Sequence, residues 1–366
     1  MKLPAFEDLS KEQDLIYNLD LDGNYLVSGP PGTGKSVMAL YRAQALTIDE
    51  REPGVLMYSN VLQQYTEQAA EELGVESFVT TFHKWFWRFW RTHYSGRPPT
   101  LEGNSYGLDW PAIVQMFMAD PPTLGGLADL IVDEGQDLPV DFYRIARFTA
   151  ENITVFADEN QKIVEENTTL REIEKAIGAS EHLELRRNYR NTAEIAAVAA
   201  HYYAGAPTGK PDPPERHGDK PNLKNFSDLN EFVGFVARYA AGRTNLNIGI
   251  ACLTSSLQRK LYNRLKARNL RISVQTFISG SKDYKDLDFD RPAITIVNYR
   301  SLKGLEFDTL FVPEIQQVTM DPTSAVTRMM FYVVMSRARD ELHLSWSGDG
   351  PIPPILVGLD GLVEQQ

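Results

Sequence analysis

The most constraining feature of this sequence is the octapeptide Gly-Pro-Pro-Gly-Thr-Gly-Lys-Ser at residues 29–36. It follows the apolar segment Asn24–Ser28, which predicts a strand, and precedes Val37–Leu46, which has the pattern of a helix. A glycine-rich turn in this position lets backbone N–H groups close around a phosphate, and the start of the helix adds positive potential. The octapeptide therefore predicts an α/β domain whose first loop binds a phosphate.

The side chains of this loop predict a nucleoside triphosphate and a metal ion as ligands, which we expect to be ATP and Mg²⁺. The Lys35 ammonium would neutralise the β- and γ-phosphates, and the Ser36 hydroxyl would bind Mg²⁺. The residues expected to surround the phosphates are Gly29, Pro30, Pro31, Gly32, Thr33, Gly34, Lys35 and Ser36.

An acidic motif supplies the second half of such a site. The apolar segment that begins at Leu130 ends in Asp133 and Glu134, and the motif continues as Asp-Glu-Gly-Gln-Asp. Asp133 is predicted to hold Mg²⁺ through water, and Glu134 to orient the attacking water and accept its proton. Two carboxylates after an apolar segment are common, but the full motif downstream of the phosphate loop is far more specific.

Short apolar segments alternate with helix-like segments along the chain, which predicts an α/β protein with parallel sheets. Two such sheets fit the length of 366 residues, and we expect domains at 1–180 and 181–366. The predicted strands after the first are Val55–Ser59, Leu130–Asp133, Ile153–Ala157, Ile248–Leu253, Ile294–Val297 and Thr309–Val312.

The net charge of −12 would argue against a nucleic-acid partner, because phosphate binding needs lysine and arginine. The charge is unevenly distributed, however. Residues 129–186 carry a net charge of −8, whereas residues 187–271 carry 14 basic and 6 acidic side chains and a net charge of +8. A local basic face is therefore compatible with the sequence.

Cysteine content and hydropathy bear on the compartment. The single cysteine, Cys252, cannot form an internal disulfide, which is typical of a reducing environment. We find no apolar run that could cross a bilayer and no signal-peptide core at the start of the chain. We expect a cytoplasmic protein with no membrane partner.

Six shorter blocks accompany the two motifs in a fixed order. They are LSKEQ at 9–13, TTFH at 80–83, ADENQ at 157–161, RNYR at 187–190, KGLEF at 303–307 and YVVMSRA at 332–338. This ordered set resembles the superfamily 1 helicases of the UvrD/Rep type. The resemblance implies two RecA-like P-loop domains, with parallel sheets flanked by helices and an ATP cleft between them. It also implies a 3′–5′ motor that hydrolyses ATP to ADP and phosphate on single-stranded nucleic acid, with DNA favoured over RNA.

The resemblance assigns nucleotide-site roles to several more residues. Gln13 would read adenine, Gln161 would sense the γ-phosphate, and Tyr189 would stack on adenine. Arg190 and Arg337 would act as arginine fingers, which supply positive charge to the γ-phosphate as it departs. In the KGLEF block, Gly304 and Glu306 would contact the nucleotide, with Glu306 near the ribose.

The expected contacts with the nucleic-acid strand are Phe82, His83 and Arg300. Phe82 belongs to a segment rich in aromatic and basic residues, a composition that suits stacking on unpaired bases. Its helical spacing with Phe86 and Trp90 is equally typical of residues that face the core. Basic residues of Leu257–Arg271, on a predicted amphipathic helix, are either further phosphate contacts or an ordinary solvated surface.

Two departures from the family pattern leave a second function open. The large insertions of processive family members are missing, which predicts a minimal two-domain form. Glu166 and Asn167 stand where the family usually has a stacking aromatic residue and an arginine. The alternative is a nucleotide-sensing ATPase switch or regulatory subunit that acts on a protein partner, such as an effector or a nuclease.

Overall fold

Buried parallel strands form the centre of both halves of this protein. A computed structural model describes residues 3–103, 107–121, 128–161, 168–205, 208–278 and 287–366. Internal contacts divide the chain into two units. The N-terminal unit comprises Lys2–Gly29 and Gly34–Leu185, and the C-terminal unit comprises Pro30–Thr33 and Arg186–Gln366. The expected limits of 1–180 and 181–366 stay a prediction.

The N-terminal unit alternates strands and helices. Its strands are β1 (Asn24–Ser28), β2 (Gly54–Met57), β3 (Val79–Thr81), β4 (Asp129–Val132), β5 (Asn152–Ala157) and β6 (Glu181–Glu184). Its helices are α1 (Lys11–Tyr17), α2 (Lys35–Ile48), α3 (Asn60–Glu72), α4 (Phe82–His93), α5 (Trp110–Ala119), α6 (Val140–Thr149) and α7 (Leu170–Ile177). The strands pair in parallel in the order β3-β2-β4-β5-β1-β6.

The C-terminal unit repeats this architecture. Its strands are β7 (Asn222–Phe226), β8 (Ile248–Cys252), β9 (Ser273–Phe277), β10 (Ala293–Asn298), β11 (Phe307–Val312), β12 (Ala338–Ser347) and β13 (Glu364–Gln365). Its helices are α8 (Ala193–His201), α9 (Leu229–Ala241), α10 (Ser255–Lys266) and α11 (Ala325–Met335). The strands pair in parallel in the order β13-β7-β12-β11-β8-β10-β9.

The central strands are apolar because a parallel sheet covered by helices is buried on both faces. Every residue of β1, β4, β8 and β11 is buried, including the polar residues Asn24, Asp129 and Asp308. Helix α10 shows the complementary pattern, since Leu257, Leu261 and Leu265 are buried while the basic residues between them are exposed. The predicted fold of two parallel α/β sheets flanked by helices is confirmed.

The length of the helices and the position of the single cysteine can be read from the structure. None of the helices in the described ranges is long and apolar enough to span a lipid bilayer. Cys252 lies at the end of β8 and is fully buried, and burial raises the pKa of its thiol.

Gly249 in β8 provides a test of this packing. A Cβ atom at Gly249 would lie 2.5 Å from ring atoms of Phe307 and 2.9 Å from Leu310 Cδ1, so the interior has no room for a methyl group. We expect Gly249→Ala to lower the free energy of unfolding by about 1–3 kcal/mol in urea titrations followed by circular dichroism. Gly242→Ala is the control, because a Cβ there meets nothing within 4 Å. Equal stability of the two variants would contradict this packing.

Candidate functional site

Three neighbouring strands of the N-terminal unit deliver the polar residues of the site to one edge of the sheet. Asp133 follows β4, Asp158 follows β5, and Gly29 follows β1, and these strands are adjacent in the order β4-β5-β1. Because the strands are parallel, their carboxyl ends meet at the same edge, where ligands of open α/β sheets bind.

Lys35 is a buried cation at this edge, with only 6% of its surface exposed. Its Nζ donates a hydrogen bond to the carbonyl oxygen of Gly29 at 2.6 Å and lies 3.5 Å from Asp158 Oδ2. Asp158 is fully buried, and a buried charge is tolerated only when it is paired. Sequence reasoning quoted Asp158 within the ADENQ block but gave it no role, although its position directly after a predicted strand was an available signal.

The Asp133 carboxylate has the environment expected of a cation ligand. Its Oδ1 accepts the backbone N–H of Glu134 at 3.0 Å, and its buried Oδ2 has no hydrogen-bond partner among the described residues. Burial, together with the negative charge of Glu134, raises the pKa of Asp133 to about 7, against the lowering influence of the Ser36 hydroxyl and Lys35. A buried carboxylate oxygen of this kind next to a serine hydroxyl fits Mg²⁺, which prefers oxygen ligands.

Glu134 adopts an unusual backbone conformation. Its φ of 54° lies in the left-handed region, which costs a residue other than glycine on the order of 1–3 kcal/mol. The side chain is 3% exposed, and its Oε2 accepts a hydrogen bond from Gln136 Nε2 at 2.6 Å. Gln136 Oε1 in turn accepts the backbone N–H of Asp158 at 2.9 Å. Gln136, which sequence reasoning gave no role, therefore fixes the Glu134 carboxylate relative to the end of β5.

Gln13 contacts the phosphate loop from the start of α1. Ser10 and Gln13 form a capping box, in which Gln13 Oε1 accepts the Ser10 N–H at 3.1 Å. Gly34 has a φ of +91°, and a Cβ there would lie 2.7 Å from Gln13 Nε2. Only glycine therefore permits this approach of the Gln13 amide to the loop.

In the C-terminal unit, residues 30–33 contact the RNYR block. The Tyr189 N–H donates to the Gly32 carbonyl oxygen at 2.9 Å, and a Cβ on Gly32 would lie 2.5 Å from Asn188 Oδ1. The Tyr189 ring is 39% exposed, with the Arg187 guanidinium 5.4 Å from its centroid. An exposed aromatic ring in this place leaves a face on which a base can stack.

The structure brings Arg190 and Glu306 together within this unit. Arg190 Nε donates to Glu306 Oε2 at 2.9 Å, and Arg190 Nη1 lies 3.4 Å from the carbonyl oxygen of Ser336, the residue before Arg337. Arg337 is 1% exposed, and its carbonyl oxygen accepts the N–H of Phe307 at the start of β11. Gly304 is buried with a φ of +78° two residues before Glu306.

Two side chains that sequence reasoning missed hold this arrangement in place. Asn191 Nδ2 donates to the carbonyl oxygens of Ser336 and Ala338. The Arg216 guanidinium donates to the carbonyl oxygen of Arg190 and pairs with Asp340. No motif marks either residue, because their contacts join segments that are distant in the sequence.

The three residues predicted to contact nucleic acid differ in their exposure. The Phe82 ring is 4% exposed and packs against Trp110, Phe86 and Phe142, so it is part of the N-terminal core. His83 is exposed beside it. Arg300 in the C-terminal unit is also exposed, and its Nε donates to the Tyr299 hydroxyl at 3.0 Å.

Three positions of interest lie outside the described residues or side chains. Gln161 ends a short 3-10 turn, but its side chain is outside the described part of the structure, as are Glu166 and Asn167. The predicted role of Gln161 stays a prediction.

Comparisons with known proteins agree with this fold. No model of a known protein family matches the sequence. A curated Acanthamoeba polyphaga mimivirus protein, named as an ATP-dependent DNA helicase, is 26% identical over 240 residues, which cover 59% of this chain and 34% of that protein. The chain thus spans about a third of the length of that relative.

Two solved structures extend over almost the whole chain. Saccharomyces cerevisiae Dbp5 bound to RNA and ADP-BeF3 covers 99% of this chain and 90% of its own, with a TM-score of 0.52 and 15% identity. A Dbp5 variant with Nup159, a Gle1 variant, IP6 and ADP covers 99% and 91%, with a TM-score of 0.50 and 14% identity. At these identities the similarity shows the fold alone, which is that of two RecA-like domains.

The raised pKa of Asp133 predicts how cation binding depends on pH. The value of about 7 exceeds the ordinary 3.8, so between these values the folded protein binds more protons than the unfolded chain, and this group lowers stability as pH rises. Binding of Mg²⁺ with ADP at pH 6.5 should therefore release a proton from Asp133. Calorimetric titrations in two buffers of different ionisation enthalpy measure this release, and we expect Asp133→Asn to lose it. Equal release from both proteins would contradict the assignment.

Proposed function

We propose that this chain is an ATP-hydrolysing motor related to the UvrD/Rep-type superfamily 1 helicases, reduced to two RecA-like domains. It would act on single-stranded nucleic acid, DNA in preference to RNA, with 3′–5′ polarity. The observation that carries the proposal is the gathering of Lys35, Asp133, Glu134 and Asp158 at the sheet edge behind the Gly29–Ser36 loop. The ordered sequence blocks add independent support.

The buried Lys35 ammonium is suited to a triphosphate. In the structure it is held by the Gly29 carbonyl oxygen and Asp158, two partners that keep its charge at the sheet edge. A phosphate oxygen bound in the loop would replace part of the contact that Gly29 and Asp158 make with the ammonium. Ser36 and Asp133 would hold Mg²⁺, which when bound neutralises charge on the phosphates.

Glu134 is the proposed general base. Its carboxylate would accept a proton from water as the water oxygen forms a bond to the γ-phosphorus and the bond to the bridging β–γ oxygen breaks. ADP and inorganic phosphate are the products. Gln136 fixes one carboxylate oxygen, and the left-handed backbone fixes the direction of the side chain, so the base is positioned before the substrate arrives.

Arg190 and Arg337 are the proposed arginine fingers. Arg190 is paired with Glu306 in the structure, so it must exchange that carboxylate for a phosphate oxygen in order to act. Arg216 and Asn191 would keep the backbone of both fingers in place during this exchange. The placement of ATP between the two domains stays a prediction.

Binding of a nucleic-acid strand is supported by the basic side chains on the surface of the C-terminal unit. The outward face of α10 carries exposed Arg259, Lys260, Arg264 and Lys266, and Arg300 is exposed as well. Contacts of this kind neutralise phosphates and release counterions. They account for strand binding by a protein whose net charge is negative.

The general base is tested by Glu134→Gln. This variant should keep its affinity for ATP, because the amide retains the shape of the side chain, while turnover falls by a factor of about 100 or more. Binding is measured by fluorescence anisotropy of a labelled ATP analogue, and turnover by phosphate release. Glu314→Gln is the matched control, because Glu314 is also a buried glutamate with a positive φ, 57°, but lies outside the site. Turnover near the wild-type rate in Glu134→Gln would remove Glu134 from this role.

The motor is tested by the ATPase rate in the presence of polynucleotides. We expect poly(dT) to stimulate the rate at least about tenfold, more than poly(U) does, and we expect the apparent affinity to fall steeply between 50 and 200 mM salt. An equal response to the two polymers would leave the motor but remove the preference for DNA. No stimulation by any polymer, with stimulation by a protein partner, would support the nucleotide-sensing switch instead.

A further inference from the structure

A proline-rich loop at residues 212–218 runs beside the RNYR block within the C-terminal unit. The Asp212 N–H donates to the Arg186 carbonyl oxygen at 2.7 Å, and the Ala193 N–H donates to the Arg216 carbonyl oxygen at the same distance. The two prolines of the loop restrict the backbone between these contacts. The loop is therefore attached, near both of its ends, to the segment that contains the RNYR block.

One carboxylate of this loop pairs with the arginine that lies over Tyr189. Arg187 Nη2 lies 2.5 Å from Glu215 Oε2, and the Arg187 guanidinium carbon lies 5.4 Å from the centroid of the Tyr189 ring. Both members of the ion pair are exposed, so the pair itself adds little to the stability of the fold. It does link the proline-rich loop to the aromatic ring on which we expect the base of the nucleotide to stack.

The backbone of Tyr189 is fixed, whereas the orientation of its ring needs a further contact. The Tyr189 N–H donates to the Gly32 carbonyl oxygen at 2.9 Å, but the side chain is 39% exposed and can turn about its two rotatable bonds. A cation over one face of an aromatic ring is attracted by the π electrons. The Arg187 guanidinium therefore restricts the ring, and a base would stack on the opposite face.

We propose that Arg187 and Glu215 are positioning residues that set how tightly the site binds the base of its nucleotide. Arg187 holds the Tyr189 ring in the orientation that receives the base, and Glu215 holds Arg187. A side chain that is ordered before binding loses less conformational entropy when the ligand arrives. The proposal rests on the proposed binding of ATP, and it gives the proline-rich loop a role in base affinity that no sequence motif predicts.

A purely electrostatic role of the same two residues predicts a different result. Arg187 would then attract the phosphates and Glu215 would repel them, so removal of the Glu215 charge would strengthen the binding of any phosphate ligand. Positioning predicts the opposite sign for a ligand with a base, because loss of the carboxylate frees Arg187 and with it the ring. Pyrophosphate has the two phosphate groups of ADP but no base, and it therefore separates the two roles.

The experiment measures the dissociation constants of ADP and of pyrophosphate, each with Mg²⁺, by isothermal titration calorimetry on the whole chain. We expect Arg187→Met and Glu215→Gln each to weaken the binding of ADP about two- to fivefold, in line with the size of a cation–π contact at an exposed site. Both variants should bind pyrophosphate with the wild-type constant, which also shows that they are folded.

Arg243→Met is the matched control, because the same three residue types meet elsewhere in this unit. The Arg243 guanidinium carbon lies 4.0 Å from the centroid of the Tyr239 ring, and Arg243 Nε lies 3.9 Å from Glu341 Oε1. Tyr239 is only 8% exposed, so its ring is not available to a base. This variant should bind ADP and pyrophosphate as the wild-type protein does.

Three outcomes would overturn the proposal. Unchanged affinity for ADP in Arg187→Met would show that the guanidinium does not position the ring. An equal change for ADP and pyrophosphate, in either direction, would place the effect on the phosphates. If the wild-type protein binds neither ligand, the proposed ATP site fails and this proposal fails with it, whereas the first two outcomes leave that site intact.

Discussion

The ion pair between Lys35 and Asp158 is the interaction on which the N-terminal site depends. A lysine ammonium with 6% exposure would be strongly destabilising without a partner, and the fully buried Asp158 at the end of β5 supplies the opposite charge. This pair keeps a cation in place behind the phosphate loop. Gln136 Oε1 accepts the backbone N–H of the same Asp158, and Gln136 Nε2 donates to Glu134, so charge compensation and positioning of the base share one strand end.

In the C-terminal unit, hydrogen bonds to the backbone hold the charged residues of the RNYR block in place. Asn191 and Arg216 tie the RNYR block to the segment that joins α11 and β12, and Arg190 is paired with Glu306. A guanidinium that is already oriented loses little side-chain entropy when it changes partner. In each unit, the charged side chains proposed to act on ATP, Lys35 and Arg190, are therefore already held by ion pairs at their sites.

Sequence reasoning predicted the parallel α/β architecture because the central strands of both sheets are largely apolar segments. It predicted no strand at β3, β6, β7, β9, β12 or β13, because these segments are short or interrupted by polar residues, and a strand need not be apolar throughout in order to pair. In the site, motifs assigned roles to single residues such as Lys35 and Glu134. They could not predict the left-handed backbone of Glu134 or the contacts that Asp158, Gln136 and Arg216 make, because these depend on which segments meet in three dimensions.

Cys252 has a practical consequence for biophysical work. It is the single cysteine of the sequence, and it is fully buried within the C-terminal sheet with the pKa of its thiol raised. Because thiolate is the reactive form, maleimide dyes should modify it slowly while the protein is folded. Two cysteines, one introduced at an exposed position in each unit, would then accept a donor and an acceptor fluorophore without removal of Cys252. The distance between the two labelled positions could be followed in single molecules.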